Sequence, residues 1–233
     1  MWYSGPVTAS GVRARVRAEM IKELKAAAWR HLAADGANLS LRAVARDMGM
    51  SSSAVYRYFA SRDELLTVLI IDAYDALGDS AERAAEAAEP GLDRWLAVGH
   101  AVRDWALAAP HEWALIYGSP VPGYRAPEDT IGPGIRVILL IGRVLQEALR
   151  AGRLQLGKPL TGDYAEELAA VAARLADDVP PRLVADTMAM FILLCGAVSA
   201  ELFGQLANSV DRDRLGFFDF QLRGAATLAG LTD

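Results

Sequence analysis

Residues 41–62, LRAVARDMGMSSSAVYRYFASR, compress two short helical patterns and a glycine turn into one unit, and no other stretch constrains the fold as tightly. Ser40 stands where an N-cap belongs, ahead of Leu41, Val44, Ala45 and Met48 at helical spacing, with Leu39 and Val44 placed as a hydrophobic staple. This helix faces a core. Gly49 follows its last apolar residue, where the chain needs φ > 0 and glycine adopts it without a Cβ penalty. Ser51 is placed to cap a second helix, with Met50 and Val55 as staple and Val55 with Phe59, four apart, as buried stripe. Ser52 with Tyr56, and Ser53 with Arg57, form i, i+4 pairs on the outward face. Their hydroxyls, phenol and guanidinium suit phosphates and base edges. Ser61-Arg62-Asp63-Glu64 reads as a capping box opening a third helix, with the Arg62 cation in its first turn, where a phosphate partner would offset the helix dipole. Capped helices and glycine turns occur in any all-α protein; the complete pattern is that of a helix-turn-helix reader of DNA.

The charge distribution agrees. The net charge of −5 argues against a protein that simply coats nucleic acid or an anionic membrane. Residues 1–63 hold ten Lys or Arg against five Asp or Glu, net +5, which leaves residues 64–233 at −10. Arg13, Arg15 and Arg17 form a small basic arm ahead of the first long helix, able to reach a phosphate or a minor groove, or else part of a solubilising tail.

Other global features set bounds. A chain of 233 residues with 53% hydrophobic composition can bury a substantial core in one large or two medium domains. The single Cys195 excludes an intrachain disulfide, no Cys/His cluster has metal-ligand spacing, and no signal segment opens the chain, so a cytoplasmic location without cofactor or metal is expected. The longest apolar stretch, residues 188–200, has thirteen residues, too few to span a bilayer, and reads as a buried helix rather than a membrane element.

Helical patterns run almost throughout, and no strand is evident. The expected fold is all-α: a three-helix N-terminal helix-turn-helix domain plus a C-terminal helical ligand-binding and dimerisation domain, about nine to ten helices in all. The boundaries read as a flexible tail over 1–11, a DNA-binding domain over 12–61 and a C-terminal domain over 62–233. The first helix runs from about 15 to 34, with Ile21, Leu24, Ala28 and Leu32 on one face. The helix opened at Ser61 continues to about residue 88, where Glu89-Pro90-Gly91 stops it, so movement at its far end can tilt its near end. Further helices are expected over about 92–109, 112–117, 135–151, 163–177 (opened by an Asp163/Glu166 cap), 181–208 and 213–231. Between them, residues 118–134 carry Pro120, Pro122, Pro127 and Pro133 with four glycines, a loop largely without regular structure.

The residues Tyr56-Arg57-Tyr58-Phe59-Ala60-Ser61-Arg62-Asp63-Glu64-Leu65 resemble the amino-terminal domain of the tetracycline-repressor (TetR) family of bacterial transcription regulators, and the resemblance spans roughly residues 17–77. It implies that Ser40, Tyr56, Tyr58 and Arg62 touch the DNA backbone and that Ser52, Ser53, Ala54 and Arg57 lie against the groove; Arg42 and Ser51 complete the candidate DNA-binding set. The family more often has histidine at the position of Tyr58 and lysine at that of Arg62, changes that keep a hydrogen-bonding aromatic and a cation. Residues 103–110 and 117–124 resemble a subgroup of TetR-like C-terminal domains whose ligands are diverse.

Around that loop, Trp95, Trp105, Trp113, Tyr117 and Tyr124 cluster in sequence with His100 and Arg103, while Met188, Phe191 and Cys195 lie on a helix able to form a second wall. Aromatic walls with a few polar anchors describe a ligand pocket, although tryptophans also fill cores. Ile192, Val198 and Leu202 on one closing helix, with Leu215, Phe218, Leu222 and Leu228 on the other, form stripes suited to an intermolecular four-helix bundle or to an intramolecular core. The expected function is a homodimeric regulator, a repressor by family habit, that binds palindromic double-stranded operator DNA and is released by a small apolar or aromatic effector. Two alternatives stand beside it: a regulator whose C-terminal domain only dimerises or binds a partner protein, and an all-α enzyme. Against the enzyme, His31, His100 and His111 have no paired-ligand spacing, the serines occupy cap positions, and there is no Gly-rich phosphate loop.

Overall fold

A computed structural model describes residues 9–35, 39–176 and 178–232. Its helices are α1 (Ala9–Asp35), α2 (Leu41–Asp47), α3 (Ser52–Val55), α4 (Arg62–Ala87), α5 (Leu92–Ala108), α6 (Pro110–Tyr117), α7 (Ile131–Gly134), α8 (Arg136–Arg150), α9 (Asp163–Leu175), α10 (Pro181–Leu202) and α11 (Arg214–Ala229), with a 3₁₀ turn at Glu128–Thr130. Nine of these have at least seven residues; α3 and α7 are single turns. Among the described residues the only β pairing is an isolated bridge between Leu154 and Leu231. The fold is all-α.

The chain forms two compact units, Met1–Ile70 with Ser119–Pro127, and Ile71–Gly118 with Glu128–Asp233. In the first unit, Leu24, Ala28 and Leu32 of α1 are buried with Leu39, Leu41, Val44, Val55, Phe59, Leu65 and Leu69. In the second, Leu77, Trp95, Trp113, Ile141, Leu145, Met190, Leu194 and Phe218 are fully buried, and the Trp95 indole donates to the Leu222 carbonyl at 2.9 Å.

Several elements depart from the sequence reading. Helix α1 begins at Ala9, so Arg13, Arg15 and Arg17 are helical rather than an irregular arm; residues 1–8 of the expected tail lie outside the described residues. Helix α9 is preceded by Gly162 at its N-cap position, and Asp163 is already its first helical residue rather than its cap. Part of the expected Pro/Gly loop is ordered into the 3₁₀ turn and α7.

Helix α10 stops at Leu202, short of the expected residue 208. Gly204 takes φ +76°, its amide donates to the Glu201 carbonyl and the Gln205 amide to Ala200, a Schellman closure that only a left-handed residue permits cheaply. Taken whole, α10 has 22 residues and is long and apolar enough to cross a membrane, so the thirteen-residue length argument does not settle the matter. Packing does: α10 contacts α5, α8, α9 and α11, and its charged residues Arg182, Asp186 and Glu201 are all engaged in ion pairs. That is a core helix.

Candidate nucleic-acid interface and ligand site

The reading unit is built on the turn at Gly49. Its φ is +64°, its amide donates to the Arg46 carbonyl and the Met50 amide to Ala45, so α2 ends in a Schellman motif that aims the chain into α3. No atom lies within 4 Å of where a Cβ would stand, so a side chain here meets only backbone strain. Gly49→Ala is therefore expected to cost about 1–2 kcal/mol. Chemical denaturation would check it; an unchanged midpoint contradicts the strain argument.

Val55 and Phe59 are buried as their spacing requires, and Ser40, Arg42, Ser51, Ser52, Ser53, Tyr56 and Arg57 are exposed, with Ala54, Tyr58 and Arg62 half-buried. Two capping expectations fail. The backbones of Ser40 and Ser51 are extended, as N-caps are, yet neither hydroxyl makes a cap bond; that of Ser51 instead pairs with Ser53 at 3.1 Å. Ser40 is exposed at the start of α2. The Ser61/Glu64 box does form: the Glu64 amide donates to Ser61 Oγ at 3.1 Å, while the Glu64 carboxylate accepts the Ala60 amide.

Two arginines hold the reading surface in place. Arg62 donates from Nε to the Leu39 carbonyl at 3.0 Å, which ties the start of α4 to the residue just ahead of α2. Arg17 donates to the Arg57 carbonyl at 3.2 Å and places its guanidinium 5.2 Å from the centre of the Tyr58 ring, a cation–π contact. The sequence reading missed both roles, since neither partner is a sequence neighbour. Arg62 thus has an internal duty besides any contact with phosphate.

The residues expected to form a ligand pocket separate. Trp113, Tyr117, Phe191 and Cys195 come together: the Tyr117 ring lies 4.5 Å from Trp113, 5.9 Å from Tyr74 of α4 and 6.1 Å from Phe191. Its hydroxyl is buried without a hydrogen-bond partner among the described residues, and burial, helped by Cys195 and Tyr74, holds its pKa far above that of a free phenol. Burial likewise pushes the Cys195 thiol up to about 12, so the cluster is neutral and the sulfur unreactive. Trp113 is itself anchored, donating to Ser199 Oγ at 3.1 Å.

The other six residues lie elsewhere. Trp95 fills the core. Arg103 makes a bidentate bond to Glu201 at 2.6–2.7 Å and lies 5.6 Å from the centre of the Phe218 ring, while His100 meets Asp219 at 3.2 Å. Helical spacing explains this pair, for residues 100 and 103 share a face of α5. Trp105 packs at the rim of the core, and Tyr124 bonds Thr67 at 2.9 Å within the first unit. Met188 is exposed and lines an apolar groove of about 410 Å³ between α8, α9 and α10, together with Ile138, Leu139, Val171, Leu175 and Val184. That groove was not foreseen.

The expected interface residues also divide. Ile192, Leu215 and Leu228 are exposed, Leu202 is half-buried, and Val198, Phe218 and Leu222 belong to the intramolecular core. A wide apolar stripe has two faces, and periodicity alone does not say which one the chain itself covers. The outward face includes a residue the reading overlooked, Phe220, 69% exposed, between Gly216 and Gly224 and about two turns from Leu228, which is 77% exposed.

Residues 24–69 match the family model described as bacterial regulatory proteins, tetR family, and residues 95–225 match the tetracyclin repressor-like C-terminal domain. The chain is 41% identical over 195 residues to the HTH-type transcriptional regulator Rv1816 of Mycobacterium tuberculosis (strain ATCC 25618 / H37Rv), covering 80% of this chain and 82% of that one. A crystal structure of the regulatory protein SCO4313 superposes with a TM-score of 0.75 at 34% identity, over 92% of this chain and 98% of that one. RolR, crystallised with resorcinol, shares the fold at 17% identity with a TM-score of 0.54, over 94% of this chain and 91% of that one. With its exposed polar recognition segment set by a Schellman turn and both of its domains matched, the chain belongs to the tetracycline-repressor (TetR) family of DNA-binding, helix-turn-helix transcription regulators.

Proposed function

We propose that this regulator is a cytoplasmic homodimeric repressor, that residues 12–61 read a palindromic operator, and that residues 62–233 dimerise and bind a small, largely apolar or aromatic effector that releases the DNA. The observation that carries the effector reading is the Tyr117 hydroxyl, buried among Tyr74, Trp113, Phe191 and Cys195 with no hydrogen-bond partner among the described residues. A buried polar group left unbonded costs about 1–3 kcal/mol, and a ligand that bonds it recovers that cost. Tyr74 belongs to α4, the helix that opens at Arg62 beside the reading element. An effector seated on Tyr117 thereby acts on the element that must move, provided it binds one of two α4 positions better than the other.

The exposed faces of α10 and α11 supply the dimer contact in this reading: Ile192 with Gly196 on α10, and Phe220, Gly224 and Leu228 on α11. Small residues beside large apolar ones let helices approach closely. Four such helices form a bundle across a twofold axis, which matches a palindromic site.

Gel retardation with a palindrome-containing duplex, lost steeply with added salt, tests the DNA half. Tyr117→Phe tests the effector half. This variant should unfold later by about 1 kcal/mol, because an unsatisfied buried hydroxyl is gone, while its thermal shift and tryptophan quenching with small phenols and ketones weaken about tenfold. Equal responses from both proteins would rule out Tyr117 as anchor. Silence from the wild type toward every small molecule would favour the reading in which the C-terminal domain serves only to dimerise or to bind a partner protein.

A further inference from the structure

The reading segment is too short to hold its own shape. Helix α3 has four residues, and past Val55 the backbone continues only as turns through Tyr58. Isolated helices below about 12 residues are marginal in water, so the geometry at Arg57 depends on contacts from outside the segment. Burial of Val55 and Phe59 anchors the inner side. Within the segment, the amides of Tyr56, Arg57, Tyr58 and Phe59 bond back to the carbonyls of Ser52, Ala54 and Val55. The Arg57 carbonyl lies beyond the last of these acceptors, where a helical end leaves carbonyls to be capped and a cation is favourable. Arg17 fills that position: its Nη1 donates to the Arg57 carbonyl at 3.2 Å, and its guanidinium lies 5.2 Å from the centre of the Tyr58 ring. Arg17 stands about two helical turns before Leu24, on the face of α1 whose buried stripe is Leu24, Ala28 and Leu32. Where the apolar stripe ends, the same face turns a long cation onto the end of the reading segment.

We propose that Arg17 is a positioning residue for base recognition: by capping the Arg57 carbonyl and covering the Tyr58 ring, it sets the direction of the Arg57 side chain and thereby the sequence discrimination of the protein. The proposal rests on the DNA-binding role proposed above for residues 12–61 and names what holds its reader in place. This role differs from a phosphate contact. A phosphate-bound arginine adds affinity on every duplex and steepens the salt dependence, whereas a capping arginine acts only where Arg57 meets its base. Bidentate recognition of a base edge needs a fixed guanidinium plane, and a long side chain amplifies any rotation of the backbone that carries it.

The test compares two duplexes bound by full-length protein, one enriched from a randomised pool by the wild type and one of the same length and composition with its core scrambled; discrimination is the ratio of the two affinities. R17Q should lower it about tenfold, through weaker binding to the enriched duplex alone, with the salt slope on both duplexes unchanged. R17K, which still reaches the carbonyl but offers no planar face to Tyr58, should restore part of the loss. R57Q should lower discrimination at least as much, and R17Q/R57Q should be no worse than R57Q, since one residue acts through the other. Equal losses for R17Q on both duplexes, with a slope shallower by about one, would make Arg17 a phosphate contact and overturn the proposal. Wild-type discrimination in R17Q or in R57Q, or losses that multiply in the double variant, would overturn it as well. Failure of the wild type to enrich any duplex would overturn the DNA-binding reading, and the proposal with it. Melting of R17Q is expected within about 3 °C of the wild type, because the side chain is exposed. A much larger fall would assign Arg17 to stability and not to positioning.

Discussion

Phe220→Glu combined with Leu228→Glu should convert the protein to monomers and lower affinity for a two-half-site operator by about 10²–10⁴-fold. Both side chains project from α11 into solvent, at 69% and 77% exposure, so in an isolated subunit neither change empties a cavity or buries a charge. Each should alter subunit stability by no more than about 0.5 kcal/mol. In a symmetric dimer the same side chains meet their own copies, and four carboxylates would be forced together across the twofold axis. Binding of the second half-site then ceases to be intramolecular, and the affinity that linkage supplied is lost. Sedimentation and gel retardation with one-half-site and two-half-site duplexes read both effects. A persistent dimer would place the interface elsewhere, the groove between α8, α9 and α10 being the next surface to examine. Leu222→Glu is the contrast: that side chain is fully buried, and its replacement should unfold the subunit rather than separate it.

Glu201→Ala should cost about 3–5 kcal/mol of folding stability. Arg103 and Glu201 meet through two short bonds with side chains 11% and 6% exposed, so removing the carboxylate strands a guanidinium between α5 and α10. The remaining neighbour, Asp104 at 3.6 Å, is mostly solvated and compensates little. For a chain of this size the melting temperature should fall by on the order of 10 °C. The double variant Arg103→Met/Glu201→Met, which removes both charges and keeps volume, should recover most of the loss, because the penalty comes from the unpaired charge and not from the missing attraction. A single variant as stable as the wild type would mean that the pair is solvated in solution.

Much of the reading unit was legible from residues alone because its determinants are local. The Schellman turn at Gly49, the buried Val55 and Phe59 and the Ser61/Glu64 box each depend on residues within five positions of one another. Helix existence in the second unit was legible for the same reason, since the 3.6-residue period is a property of contiguous sequence. Ends were less so: α10 stops at Leu202 because Gly204 just beyond closes the helix left-handed, and a lone glycine there is equally compatible with a helix that continues. The serines show another limit. A side chain in cap position can bond the helix or leave its hydroxyl outward, and Ser40 and Ser51 do the latter.

The candidate sites were legible as lists of residues and not as places. Tyr117 and Phe191, 74 positions apart, meet because α6 and α10 pack together, whereas Trp95 and Tyr124, close to Tyr117 in sequence, end up in the core and in the other compact unit. Composition and periodicity by themselves determined that the chain is helical, that it carries a DNA-reading unit, and that cationic charge is gathered there, because local backbone preference and net charge need no partner. Which face of α10 and α11 the subunit covers, which arginines hold carbonyls, and which aromatic hydroxyl is left unbonded were decided only by the tertiary structure, because each depends on the approach of segments whose side-chain pattern permits more than one neighbour.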